Sequence, residues 1–193
     1  MFMMRFGMRA DTEDPGARAD LYRAALDMAA WAESRGCLSA VVSEHHASDD
    51  GYLPSPVPMA AALAARTTTL PINVGALLVA LYEPIKLAED LVVVDHLSQG
   101  RVSYIVGIGY RTEEFAMFGI DSRRRAAVTE ARIAFLQRVW SGETVELDGR
   151  PVTVRPLPYT PGGPPLAYGG GSEPAARRAG RLGMLFVAEK PGP

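Results

Sequence analysis

Cysteine is nearly absent: Cys37 stands alone among 193 residues. That excludes an intrachain disulfide framework and fits a reducing compartment. Excess charge of either sign is missing too. Twenty Lys and Arg face 22 Asp and Glu, for a net charge of −2. A chain without a basic footprint is not built for nucleic acid. No run approaches the roughly 18 apolar residues of a membrane span. The first residues, Met1 to Met8, turn acidic at once and lack the apolar centre of a secretion signal, so the expected setting is the cytoplasm. Also missing are the G-x-S-x-G nucleophile turn, the P-loop and any H-E-x-x-H or paired-cysteine metal spacing. No metal site is expected.

What is present is a pattern that changes period repeatedly. Met3–Met8 reads as a strand. Leu21, Ala25, Met28, Ala29 and Ala32 recur at helical spacing, and Gly36 ends that helix. Leu38–Ser43 suits a strand buried on both faces. Pro56–Arg66 is an alanine-rich helix, Ile72–Leu81 a longer strand, and Pro84 opens a helix closed by Gly100. Val102–Ile108 is again a strand. Val128, Ala131, Phe135, Leu136 and Val139 mark a long helix. Thr144–Leu147 and Val152–Val154 flank Asp148-Gly149, a favoured hairpin turn. Leu166–Tyr168, the helix Pro174–Arg181 and the strand Met184–Val187 follow, and Pro191-Gly192-Pro193 closes the chain.

Six strands alternating with helices imply a parallel α/β fold in one domain spanning 1–193. An open doubly wound sheet and a (β/α)8 barrel compete. The first strand leads into Arg9-Ala10-Asp11-Thr12-Glu13, without the glycine fingerprint of a nucleotide-binding sheet, which argues for the barrel.

In either architecture, function gathers at the C-terminal ends of the strands. Glu44-His45-His46 follows the second strand, Gly107-Ile108-Gly109-Tyr110-Arg111 the fourth, and Gly169-Gly170-Gly171-Ser172 the fifth. Two of only three histidines thus sit side by side at a strand end. They fit a structural, a metal-binding or a catalytic role. Neighbouring strand residues point to opposite faces, which argues against joint chelation of one ion. His96, inside a helix, reads as structural. The glycine turn precedes a helix whose free N–H groups and dipole suit a phosphate, with Arg177 one turn on. It equally suits a tight loop before a capped helix, and Glu173 places an acid at the same end. Tyr52, Tyr110 and Phe115 fit either an apolar pocket or the core.

These residues resemble a known family. Glu83-Pro84 through Glu89-Asp90, then Asp95-His96-Leu97-Ser98-Gln99-Gly100-Arg101, is similar to the signature of bacterial-luciferase-like flavin-dependent oxidoreductases. Ser43-Glu44-His45-His46, the run Gly109–Phe115 with Phe118–Asp121, and Gly170-Gly171-Ser172 through Ala179 also match, in order, from about Phe6 to Leu185. The resemblance implies a TIM-like (β/α)8 barrel with one β-hairpin insertion. It implies reduced FMN or, alternatively, coenzyme F420 as cofactor, and O2-dependent oxidation of a small organic substrate or hydride transfer. It makes His45 catalytic and places phosphate on Gly170, Gly171, Ser172 and Arg177. It sets Ala76, Leu77 and Leu78, near a non-proline cis peptide, with Gly107 and Gly109 against the flavin ring.

Two departures stand out. Family members carry an arginine where this chain has Ile108, leaving Arg111 as the substitute. Six strands fall short of eight, which implies a fragment, or a homodimer or other chain completing the barrel. A flavin reductase would be a further partner. A non-catalytic flavin-binding or assembly subunit is the reading from another class.

Overall fold

The computed structural model describes residues 1–188; Pro191-Gly192-Pro193 lies outside the described residues. Six parallel strands form one sheet: β1 (Met4–Phe6), β2 (Ala40–Val42), β3 (Ile72–Leu77), β4 (Val102–Val106), β7 (Leu166–Gly170) and β8 (Leu185–Ala188). A separate antiparallel hairpin pairs β5 (Val145–Leu147) with β6 (Arg150–Val152). Asp148 and Gly149 between them have φ of 48° and 73°, as a two-residue hairpin turn of this hand requires.

The helices are α1 (Pro15–Ser34), α2 (Pro56–Arg66), α3 (Pro84–Ser98), α4 (Thr112–Met117), α5 (Arg125–Trp140) and α6 (Glu173–Arg181). Local chemistry explains their starts. Asp14 and Glu83 accept the N–H groups of Gly16 and Lys86, and Pro15 and Pro84 occupy the first helical position. α3 stops where Gln99 turns left-handed and Gly100 follows at φ 79°. None of the described helices is long and apolar enough to cross a membrane.

The strand order β1-β2-β3-β4-β7-β8 decides between the two candidate architectures. Sequential parallel neighbours take crossovers of one hand, which put the connecting helices on one face of the sheet. A doubly wound sheet reverses its order and has helices on both faces. The order here is that of a barrel wall. Its helix-covered face buries Val42, Val74 and Tyr104, which lie in register and are almost fully enclosed. Its other face carries Arg5, Val41, Asn73 and Ser103, also in register. There the Asn73 amide donates to Ser103 Oγ at 3.0 Å, and Arg5 donates to Ser43 Oγ at 2.7 Å.

Several element boundaries differ from those the sequence suggests. β3 ends at Leu77, not Leu81, and Val79–Leu81 form a buried 3-10 turn. β4 ends at Val106 rather than Ile108, and β6 starts at Arg150 rather than Val152. Within α5, Ala131 faces solvent while Thr129 and Ile133 are buried; in α1, Met28 is exposed. The short helix α4 has no counterpart among the expected elements.

Candidate active site

The C-terminal ends of β1, β2 and β4 surround an open cavity of about 550 Å³, lined by Arg9, His45, Ser48, Tyr110, Arg111, Thr112 and Glu113. Arg18 of α1 organises two of the loops that border it. Its guanidinium donates to the carbonyls of Met8, Ala10 and Thr12 after β1, and of Asp50 and Gly51 after β2. One cation thereby ties both segments to a single helix.

The two histidines lie in the loop beyond β2 and meet different surroundings. The His45 side chain is 21% exposed and faces the cavity; His46 is buried. His45 Nδ1 lies 3.0 Å from Glu114 Oε1. The ring is held edge-on between Tyr52, with centroids 4.9 Å apart, and Tyr110, at 5.7 Å. His46 Nε2 lies 2.8 Å from Glu44 Oε1, and its ring packs edge-on against Phe118.

Each histidine therefore has its own buried carboxylate. Glu44 also accepts the Tyr82 hydroxyl at 2.9 Å and the backbone N–H of Leu78 at 2.7 Å. Burial, reinforced by the Glu44 charge, holds the Tyr82 phenol far above its usual range, so it stays a donor. Glu114, from the first turn of α4, accepts the backbone N–H of His46 at 2.9 Å on the same oxygen that meets His45. It is 1% exposed, and its Oε2 has no protein partner.

The residues expected against a flavin ring fall at the ends of β3 and β4. Ala76 and Leu77 close β3, Leu78 follows, and the Gly75–Ala76 peptide is cis. Ser43 donates its hydroxyl to the Gly75 carbonyl at 2.6 Å. A Cβ on Gly107 would sit 2.9 Å from that of Ala76, so the Ala76 methyl packs directly on the Gly107 backbone and leaves no room for a side chain there. Gly109, at φ 71°, packs against the Phe115 ring. Arg111 lines the cavity, but its guanidinium is engaged by Glu113 at 2.8 Å, and by Glu114 and the His46 carbonyl at 3.4 Å each.

Gly170, Gly171 and Ser172 lead from β7 into α6. Gly170 lies so close to α6 that a Cβ would come within 2.7 Å of Ala175 Cβ. Ser172 occupies the N-cap position, yet its hydroxyl makes no capping bond. Arg177 is paired with Glu173 through two contacts of 2.9 and 2.5 Å. This turn and His45 lie on the same edge of the sheet. β2 and β7 are three strand steps apart, roughly 14 Å at the usual spacing of about 4.8 Å. Of the three aromatics expected at the pocket, Tyr110 lines it, Tyr52 backs the imidazole and Phe115 belongs to the core.

Glu44 and Glu114 fall within segments that the sequence marks, Glu44-His45-His46 and Gly109–Phe115, but sequence reasoning gave neither of them a role, nor Arg9 or Arg18. Glu114 and Phe118 are four residues apart and so share one face of α4 and its end. That spacing, with Phe115 beside it, was the available signal that this acid looks inward.

Residues 3–192 match the luciferase-like monooxygenase family. The chain belongs to that family. It is 32% identical over 197 aligned residues to the F420-dependent glucose-6-phosphate dehydrogenase of Beutenbergia cavernae, covering 96% of this chain and 56% of that protein. Among solved structures it resembles monooxygenase RslO1 of Streptomyces bottropensis, with a TM-score of 0.85, 28% identity, and coverage of 96% of this chain and 58% of the other. It also shares its fold with the oxygenating constituent of 3,6-diketocamphane monooxygenase from Pseudomonas putida, solved with FMN, at a TM-score of 0.82 and 20% identity over 97% of this chain and 56% of that one. The chain spans about half the length of the curated relatives it matches.

Proposed function

We propose that this chain carries the cofactor-facing part of a reduced-FMN-dependent monooxygenase acting with O2 on a small organic substrate. The observation that carries this reading is the single rim shared by His45, the small residues Ala76 and Gly107, and the Gly170–Ser172 turn. The residues fit the group. Gly107 and Ala76 carry the smallest side chains at the ends of β4 and β3, and the uncommitted Ser172 hydroxyl sits at a helix N-terminus, where a phosphate is favoured.

Reduced FMN would supply the two electrons with which O2 delivers one oxygen atom to the substrate and releases the other as water. The chain's own residues bind and orient. Gly170, Gly171 and Ser172 hold phosphate; Ala76, Leu77, Leu78, Gly107 and Gly109 support the ring. Arg177 and Arg111 join only by releasing their carboxylate partners. His45 holds or moves a proton at the cavity wall. Further polypeptide, whether another copy or a different chain, would cover the edges of β1 and β8 that are unpaired among the described residues and exclude water, and a flavin reductase would provide the reduced cofactor.

The 32% identity to an F420-dependent dehydrogenase favours a second reading, hydride transfer with F420 in the same site. Anaerobic titration of the purified chain separates the two. Micromolar binding of reduced FMN supports the monooxygenase, and binding of reduced F420 alone replaces it. Turnover unchanged in His45→Ala would remove the catalytic assignment and favour an assembly role.

A further inference from the structure

We infer that Glu114 is a positioning residue that fixes the His45 imidazole as its Nδ1–H tautomer, with the Nε2 lone pair turned to the cavity, while Glu44 fixes His46 in the opposite tautomer. This deepens the proposed function and rests on His45 being the group that meets the cofactor.

The geometry is specific about atoms. An ionised carboxylate only accepts hydrogen bonds. Glu114 Oε1 lies 3.0 Å from His45 Nδ1, so that nitrogen carries the proton. Glu44 Oε1 lies 2.8 Å from His46 Nε2, so there the other nitrogen carries it. Two adjacent imidazoles are thus locked in opposite states by two carboxylates from different parts of the chain. The backbone N–H of His46 fixes the Glu114 oxygen from behind at 2.9 Å, and Arg111 approaches it at 3.4 Å. The carboxylate therefore has little freedom to turn away.

Around the His45 ring the remaining charged and titratable groups are Arg9, Arg111 and Glu113 along the cavity, with Tyr52 and Tyr110 edge-on. No hydrogen bond reaches the ring from any of these five, leaving Glu114 as the one anchor found among the described residues. An imidazole so held presents a proton acceptor to the cavity rather than a donor. It would therefore take up a proton before it gives one.

The test is nitrogen-15 NMR of the histidine rings in the cofactor-free chain, at about pH 8.5 where an ordinary imidazole is neutral. With three histidines, assignment by single substitutions is direct. The expected result is a protonated Nδ1 and bare Nε2 for His45, and the reverse for His46. Glu114→Gln preserves shape but replaces a charge-assisted acceptor with a neutral amide. It should move the His45 tautomer ratio about five-fold towards Nε2–H and leave His46 in its wild-type state, which also reports that the fold is intact. Glu114→Asp, which keeps the charge, should restore most of the wild-type ratio. A bare Nδ1 on wild-type His45, or a ratio unchanged in Glu114→Gln, would overturn the inference. Because no flavin is present, a chain that fails to bind reduced FMN yet shows these tautomers would defeat the proposed function and leave the Glu114 assignment standing.

Discussion

Glu44, two residues past β2, accepts the backbone N–H of Leu78, one residue past β3, at 2.7 Å. That contact ties the end of one strand to the end of the next at the rim where the cofactor would lie. Glu44 is fully enclosed and also serves His46 and Tyr82. Replacing it with leucine strands three polar groups at once, each costing about 1–3 kcal/mol when left unpaired. We expect Glu44→Leu to lose about 3 kcal/mol or more, and Glu44→Gln about half of that. Urea denaturation monitored by tryptophan fluorescence measures both. A loss below about 1 kcal/mol for Glu44→Leu would mean that the rim does not depend on this carboxylate.

Gly107 offers a test of the close approach between β3 and β4. An added methyl group would lie 2.9 Å from Ala76 Cβ, and neither backbone can yield easily. Overpacking of this kind costs about 1–3 kcal/mol. Gly107→Ala should lower the unfolding midpoint and weaken reduced-FMN binding together. The double variant with Ala76→Gly should recover part of both. Weakened binding with unchanged stability would show that the methyl group blocks the ligand without disturbing the strand contact.

Much of this fold could be read from period changes in the sequence, because strands with one enclosed and one half-buried face still leave short, largely apolar runs. The exception is instructive. Val79, Ala80 and Leu81 are buried like the core residues of the strands, yet they form a 3-10 turn. An apolar run reports burial and cannot tell a strand from an enclosed turn. The site divides similarly. His45 was legible because histidine is rare here and stands at a strand end. Glu114 was not, since its partner lies 69 residues away and its neighbour Glu113 is exposed. The residues most diagnostic of the family lie away from the cavity. Asp95 accepts the N–H and hydroxyl of Thr160 at 2.7 and 2.8 Å, and Arg101 enters β4 from its N-terminal end. That part of the signature specifies the scaffold.

Arg101 makes this concrete. Its guanidinium donates to the carbonyls of Ala64, Thr67 and Leu70 and to the Thr67 hydroxyl, at 2.8 to 3.1 Å. It closes the C-terminal end of α2 and the loop into β3. A lysine keeps the charge but not the planar fork that reaches four acceptors. Arg101→Lys should cost about 1–2 kcal/mol and leave the affinity for reduced FMN unchanged. Lost affinity at unchanged stability would contradict the scaffold assignment.

Glu33 gives the fold a predictable response to acid. Burial pushes its carboxyl up, but the N–H groups of Thr69, Leu70 and Thr68 and the Thr69 hydroxyl outweigh it, and the net shift is below the ordinary value of 4.5. A carboxyl depressed on folding stabilises fully above its unfolded pKa, and that contribution fades as the pH falls through the folded one. Glu33→Gln should therefore be less stable than the wild type by about 1 kcal/mol near neutrality. The gap should close on acidification below the ordinary carboxyl range. Thermal melts of both proteins across that range check the sign, and a gap that widens towards acid would refute it.

The phosphate assignment at the Gly170–Ser172 turn makes the sharpest demand on Glu173. Its carboxylate sits in the first turn of α6, where it competes with any bound anion, and it holds Arg177 in an exposed pair. Exposed pairs of this kind contribute about 0.2–1 kcal/mol, so Arg177 is released at little cost to stability. Removing the negative charge also frees the positive end of the helix dipole. Glu173→Gln should thus tighten reduced-FMN binding by about 3- to 10-fold at low salt, and the gain should shrink as ionic strength rises. Riboflavin, which lacks the phosphate, should show no such gain. Equal gains for FMN and riboflavin would place the phosphate elsewhere on the rim. Arg111 would then be the next candidate, since its guanidinium is also held by glutamates at the cavity wall.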